Sequence, residues 1–495
     1  MINITWKNKE QNEPFIKRSL NSVLKSLNIK DRDFDRESNY IPFLDDLETN
    51  ASTKEKLIAL LKIASEVEHR LMAQYLFTMY SIKDDNIPVV LDIKMAIKEI
   101  AIQEMGHLLG VQNLLLSLGG IESLHLHKDL ILSDSKENPI PFNLENFSID
   151  VLAGYLIVET PEKLPTNLKE EINKIRIRAE KHFSGSIKSV GGLYKRIFWM
   201  FQESDLPPSD PRLMQLSPNG RDLISDDHVS LNDFRPIEEI ERYEAFKSLW
   251  NNGGNKVAHF GLTLSKVHSH RDALYLTNYI AEQGEGEDFV DVDSHFERFF
   301  NAYKAIEAYI AIEGAKINVY KTPKNLSTKR QENRLQNIIE NKYSIYWVEL
   351  YNLCYNSLLL DIFSSFKFKG ETNYSENEVI ELLVYKSMID ILGKMSEVLF
   401  KLPFNSGDFY YDKEPRCGPT FEIEKDFNLS TDINQLIDYS QTILDRIQDR
   451  ISKIESHDDY SKHQELDFDV ALGLHISNVN IYIENKQNII NPFIS

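Results

Sequence analysis

Two stretches of this chain, residues 53–83 and 91–118, have the spacing of long buried helices, and both carry ionisable side chains on the apolar side. In the first, Leu57, Leu61, Ala64, Glu68, Leu71 and Tyr75 recur at steps of three and four, the period of one helix face. In the second, the same steps run through Ile93, Ile97, Ile100, Glu104, His107, Val111 and Leu114. Such a seam has to be buried, and burying carboxylates and an imidazole is costly unless a cation or a partner group compensates them. Glu66 falls off the seam and reads as solvated.

The rest of the chain reads the same way. Gly119-Gly120 closes the second helix, as glycine does at helix C-termini. Helical spacing returns at 148–159, at 165–205 with small residues interrupting it at 184–192, at 270–283, from His295 onward, and at 333–366. Ser375 and Glu378 suit a capping box for a helix reaching about residue 400. Residues 432–455 place Ile433, Leu436, Leu444, Ile447, Ile451 and Ile454 near a heptad spacing. No sustained strand alternation and no internal repeat occurs. The predicted fold class is therefore all-α. The expected layout is an N-terminal arm over 1–50, a helical bundle over 51–315 and a C-terminal helical region over 325–495 packed on it. Residues 206–236, rich in Pro, Asp and Ser, read as a long loop that could act as a lid.

Charge narrows the partners. With 56 Lys and Arg against 76 Asp and Glu, the formal charge is −20, which disfavours nucleic acid and anionic membrane surfaces. No apolar run approaches membrane-span length, and the polar start MINITWKNKEQNEPF lacks the apolar core of a secretory signal. A cytoplasmic protein is expected. Cys354 and Cys417 are far apart and in no Cys-x-x-Cys pattern, so neither a disulfide framework nor a thiolate zinc site is expected.

Glu104-Met-Gly-His107 places a carboxylate and an imidazole one turn apart on one face. This is the ligand spacing of carboxylate-bridged two-metal centres in helical bundles. With Glu68 at the matching seam position of the neighbouring helix, a metal site is the favoured reading. Carboxylate and imidazole without thiolate suit iron or manganese. The alternative is a helical interaction or scaffold protein with a degenerate or structural metal site, in which these groups form a buried ion pair or a satisfied core histidine. Glu159, in IVETPE, ends a short apolar run before Pro161, and either ligation or a helix-end carboxylate suits it. The run Glu282-Gln-Gly-Glu285-Gly, followed by His295 at a helix start, could turn side chains into the bundle or form a solvated acidic loop. His182, His228 and His259 lack carboxylates at helical spacing and read as surface or core histidines; Tyr75 and Tyr80 read as packing residues.

The blocks EVEHRLMAQYLFTMYSI, EIAIQEMGHLLGVQNLLLSLGG, IVETPE, SVGGLYKRI and YIAEQGEG with SHFERF, in this order over about 55–300, resemble the ferritin-like domain of the iminophenyl-pyruvate dimer synthases. These enzymes couple amino-acid-derived imines in the making of bisindole pigments. A weaker similarity continues through KLPF and RCGPTFE at 401–422. The resemblance implies a ferritin-like four-helix bundle holding iron, two ions in the expected case, with manganese as the other candidate. It implies an oxidative role toward an amino-acid-derived small molecule with O2, in natural-product biosynthesis. Glu68, Glu104 and His107 match the metal face; Glu159, Glu282, Glu285 and His295 match further recurring positions. Where the family often has Glu in SVGGLYKRI, this chain has Gly192, which leaves a site that is mononuclear, unevenly occupied or completed by Glu159. A partner oxidase supplying the substrate and a homodimer are partners such a chain could have.

Overall fold

The computed structural model describes residues 4–8, 40–44, 51–83, 87–126, 140–161, 164, 166–202, 228–243, 264–285, 294–312, 315–329, 337–367, 380–408, 413–430, 432–460 and 469–494. The chain is all-α, as its spacing predicts. Helix α1 (Thr53–Ser81) starts at Ser52, whose hydroxyl accepts from the Glu55 amide while Glu55 Oε2 accepts from the Ser52 amide. This reciprocal pair satisfies two amides the helix itself leaves unbonded. Helix α2 (Pro88–Gly119) has proline in its first turn, where no amide hydrogen is needed, and stops at Gly120 with φ +71°.

Four more helices build the first half: α3 (Ile149–Val158), α4 (Lys169–Phe183), α5 (Gly191–Phe201) and α6 (Ile237–Tyr243). The break in 165–205 falls at Ser184, which takes a left-handed conformation with φ +56°. Helices α7 (His270–Glu285) and α8 (His295–Ile310) follow. Helix α1 packs on α2, α2 on α7, α7 on α5 and α5 on α1, which closes a four-helix ring. Helix α8 packs on α2 and α7 of the ring and on α3, and so holds α3 to the ring. At Gly110 of α2 a Cβ would meet Ile280 and Leu276 of α7 at 3.3 Å, so glycine sets how closely these two helices approach.

All seam residues of α1 and α2 are buried, the three ionisable ones included. Their apolar members join a core that runs from Leu57 to Ile306. A second core gathers α9 (Lys342–Lys367), a π-helix at Ile380–Gly393, α10 (Lys394–Leu399), α11 (Ile433–Glu455) and α12 (Asp469–Ile494). It also takes Met72, Ala73 and Phe77 of α1 and Leu109 and Leu116 of α2. Those two helices are thus apolar on two sides and form a wall shared by both cores. Inside the second core Lys486 Nζ lies 2.8 Å from Asp361 Oδ1, and Tyr482 donates to the other oxygen at 2.5 Å.

Two details depart from the sequence expectation. The arm carries an antiparallel pair, β1 (Ile4–Asn8) and β2 (Tyr40–Leu44), with Ile4 opposite Leu44. The YIPFL strand holds a proline and no alternation, so its sequence hides the pairing. A further two-residue parallel pair, β3 (Leu326–Ser327) with β4 (Asn337–Ile338), is too short to have a pattern. The Ser375–Glu378 cap, His259 and most of the 206–236 loop lie outside the described residues. Among the described residues no helix is long and apolar enough to cross a membrane.

Candidate metal centre

Five acid and imidazole side chains converge where α1, α2, α3 and α8 meet. Glu68 comes from α1, Glu104 and His107 from α2, Glu159 from the residue that caps α3, and His295 from the first residue of α8. None is more than 5% exposed. Ser294 fixes the start of α8 by accepting from the Glu297 amide. The helix dipole favours cations at helix C-termini and anions at N-termini. Glu159 and His295 sit at the opposite ends, so neither is placed there for helix stability.

Glu104 is at the centre. Its Oε2 accepts from His107 Nδ1 at 2.9 Å, and its Oε1 lies 3.1 Å from His295 Nδ1. Glu68 Oε2 is 3.4 Å from His107 Nδ1, and Glu159 Oε2 is 3.8 Å from His295 Nδ1. Two groups of donors result, Glu68 with Glu104 and His107, and Glu104 with Glu159 and His295. Within each, the donor atoms lie within 4.8 Å of one another, and each could hold a metal ion. Glu104 belongs to both and offers one oxygen to each.

Each of the four outer donors is held by a neutral side chain on its far atom. His107 Nε2 donates to Gln283 Oε1 at 2.9 Å, and His295 Nε2 donates to Gln103 Oε1 at 3.0 Å. Tyr194 of α5 donates to Glu68 Oε1, and Tyr75 of α1 donates to Glu159 Oε1 at 2.7 Å. The imidazoles therefore turn Nδ1 inward, and the carboxylates turn Oε2 inward. A hydrogen bond on the far nitrogen is how a protein sets which imidazole nitrogen meets a metal.

The electrostatics of the metal-free cluster follow from burial. Burial, and next the charge of Glu104, push the Glu68 carboxyl up to about 8. Burial also acts against the charge of Glu104, but His295 and His107 outweigh it and hold this carboxyl well below the usual range. The same balance raises both imidazoles. Burial disfavours their charge and Glu104 overcomes it, helped by Glu68 at His107 and by Glu159 at His295. Burial and the adjacent carboxylates keep Tyr75 and Tyr194 protonated.

These residues fit a metal. Glu68 Oε2, Glu104 Oε1 and His295 Nδ1 are buried and make no well-aligned hydrogen bond; their only close polar neighbours are the other donors of the cluster. Orphaned buried polar atoms of this kind are rare in folded proteins. Oxygen and imidazole donors without thiolate are the set that iron and manganese take.

Of the candidates from sequence, Glu68, Glu104, His107, Glu159 and His295 come together. Glu282 does not join them: it is half-buried on α7 and accepts from Asn278 Nδ2 at 2.7 Å. One residue along a helix is a turn of about 100°, and it is Gln283, not Glu282, that faces His107. Glu285 ends α7, and its side chain lies outside the described residues. Glu66 is half-buried, pairing with Arg70 at 3.4 Å and His125 at 2.8 Å. His182 finds its carboxylate at Glu145, 2.9 Å away and distant in sequence. Tyr75, read as packing, bonds a donor. Tyr194, Gln283 and Gln103 stand inside the quoted blocks, yet uncharged side chains carry no metal signal of their own.

Residues 61–304 match the family model described as Ferritin-like, a span that takes in the ring from the third turn of α1 onward and all five converging residues. This part of the chain has the ferritin-like fold. No curated protein and no solved structure matches the chain.

Proposed function

We propose that the cluster holds a dinuclear metal centre, iron with manganese as the alternative, and that the protein is an oxidase or oxygenase of an amino-acid-derived small molecule in natural-product biosynthesis. The observation that carries this reading is Glu104, whose two oxygens face two different histidines, each with its own carboxylate. Glu68 and His107 would hold one ion, Glu159 and His295 the other, with Glu104 between them. When bound, such a pair supplies one-electron redox steps and Lewis acidity toward O2 and substrate. The chain's own part is to hold the donors rigidly and keep the site dry. Tyr75 is locked edge-on between Tyr155 and Phe299, with ring centroids 4.6 and 5.2 Å away. The resemblance to the iminophenyl-pyruvate dimer synthases supports an imine of an amino acid as the substrate class and oxidative coupling as one form of the reaction.

A purely structural ion-pair network accounts for Glu104, which faces both imidazoles. It leaves Glu68 Oε2 buried with no hydrogen bond, 3.4 Å from an imidazole nitrogen already bonded to Glu104, and a cation would remove that cost. The test is anomalous scattering at the iron and manganese edges from crystals of protein grown with both metals, followed by oxygen uptake with candidate amino-acid-derived imines. Protein free of both metals would overturn the centre, and metal-loaded protein that consumes no oxygen with any such compound would overturn the oxidative role.

A further inference from the structure

Two phenols touch the cluster, and each touches a different carboxylate. Tyr194 reaches Glu68 from α5, and Tyr75 reaches Glu159 from α1. Both are no more than 2% exposed. Both bond the oxygen labelled Oε1, the one turned away from the histidine. The oxygen left over is in each case the inward one: Glu68 Oε2 has no hydrogen-bond partner, and Glu159 Oε2 faces His295. A carboxylate held this way cannot rotate to offer both oxygens to one ion without breaking a buried hydrogen bond. Helix α5 has no acidic residue over Gly191–Phe201, so the tyrosine is what this helix gives to the centre.

We infer that Tyr194 and Tyr75 are positioning residues, one for each metal position, that hold Glu68 and Glu159 to single-oxygen ligation through Oε2. The inference rests on the dinuclear reading above and goes beyond it by assigning each half of the centre its own phenol. It also explains how the centre stands without a carboxylate at Gly192. Helix α5 supports a ligand of α1, and Glu159 at the end of α3 supplies the carboxylate of the second position.

The experiment is a titration of metal-free protein with cobalt(II), followed by visible absorption, and with ferrous iron under nitrogen. Wild type, Tyr194→Phe, Tyr75→Phe, Glu68→Gln and the double variant Glu68→Gln/Tyr194→Phe are compared. Loss of an outer hydrogen bond to a ligand weakens metal affinity about 10–100-fold. Wild type is expected to take two equivalents. Each tyrosine variant should keep one equivalent at wild-type affinity and weaken the other by that factor, with a changed cobalt spectrum. In the Glu68→Gln background Tyr194→Phe should add nothing further, because its partner is already changed. The thermal midpoint of each metal-free variant separates positioning from general loosening. A tyrosine that acts only in packing would lower that midpoint and leave the affinity of the folded protein alone. If Tyr194→Phe does not fold, Tyr75→Phe decides by the same criterion. Two equivalents at unchanged affinity in a folded tyrosine variant would overturn the inference and leave the dinuclear reading standing. A wild-type protein that binds neither metal would overturn both.

Discussion

Gln283 Oε1 lies 2.9 Å from His107 Nε2, and this contact decides which nitrogen of the imidazole faces Glu68 and Glu104. The amide can be there because Gly110 lets α2 and α7 close on each other a few residues away. Gln283→Leu leaves a buried N–H without an acceptor, a loss of about 1–3 kcal/mol. It also frees the ring to turn. The expected result is metal affinity lowered by about 10–100-fold, read by equilibrium dialysis. Glu282→Gln, one residue earlier and away from the cluster, should keep full metal content. Equal losses in the two variants would remove Gln283 from the site.

Gly284 tests the other half from the same helix. A Cβ there would stand 3.2 Å from Glu159 Oε2, closer than ordinary van der Waals contact. Gly284→Ala should therefore push the carboxylate by a few tenths of an ångström while the helix gains an alanine, worth up to about 1 kcal/mol in propensity. The expected outcome is a metal-free protein of equal or higher thermal midpoint with one of its two metal equivalents weakened. A variant with both equivalents unchanged would mean that Glu159 ligates nothing.

Much of the centre is legible in the sequence because burial of charge is legible. Glu68, Glu104 and His107 stand on seams whose other members are Leu, Ile, Val, Ala64 and Tyr75, and a regular helix leaves those three nowhere else to point. Glu159 and His295 are harder to read, because each sits at a helix end where no period frames it. Gln283 could not be separated from Glu282 and Glu285: the end of a helix beside two glycines fixes no face, and packing across Gly110 decides it. Tyr194 escapes for a different reason. Its hydroxyl meets Glu68 across 126 positions of sequence, and a tyrosine among apolar residues reads as core. The short strands of the arm escape because a strand in YIPFL needs its partner to be recognised.

Acid should empty the centre, and the sign follows from the metal-free site. Glu68, pushed up to about 8, and the raised imidazoles His107 and His295 hold protons near neutrality. Ligation needs those protons gone. Metal uptake therefore releases protons, and apparent affinity rises as pH rises toward the folded value of Glu68 and falls below it. Calorimetric titrations in two buffers of different ionisation enthalpy, at about pH 6 and about pH 8 on either side of an ordinary histidine, measure the release directly. Uptake with no proton release would mean that the ion binds elsewhere.

Removing the shared carboxylate should cost more than removing any outer one. Glu104 faces His107 with one oxygen and His295 with the other, so Glu104→Gln takes an anionic donor from both groups at once. It also strips the charge that keeps both imidazoles raised against burial. In the metal-free protein this leaves two buried histidines that prefer to be neutral and a Glu68 with one repelling neighbour fewer. The fold is then expected to lose no more than about 3–5 kcal/mol, the range for breaking a buried ion pair, and less if the imidazoles shed their protons. Metal content should fall from two equivalents to none. Glu68→Gln and His295→Ala, which each touch one group, should retain a single equivalent. Metal analysis of the three folded variants, with circular dichroism to confirm helix content, decides between a bridge and two independent sites. If Glu104→Gln keeps one tight equivalent, the ions do not share this carboxylate.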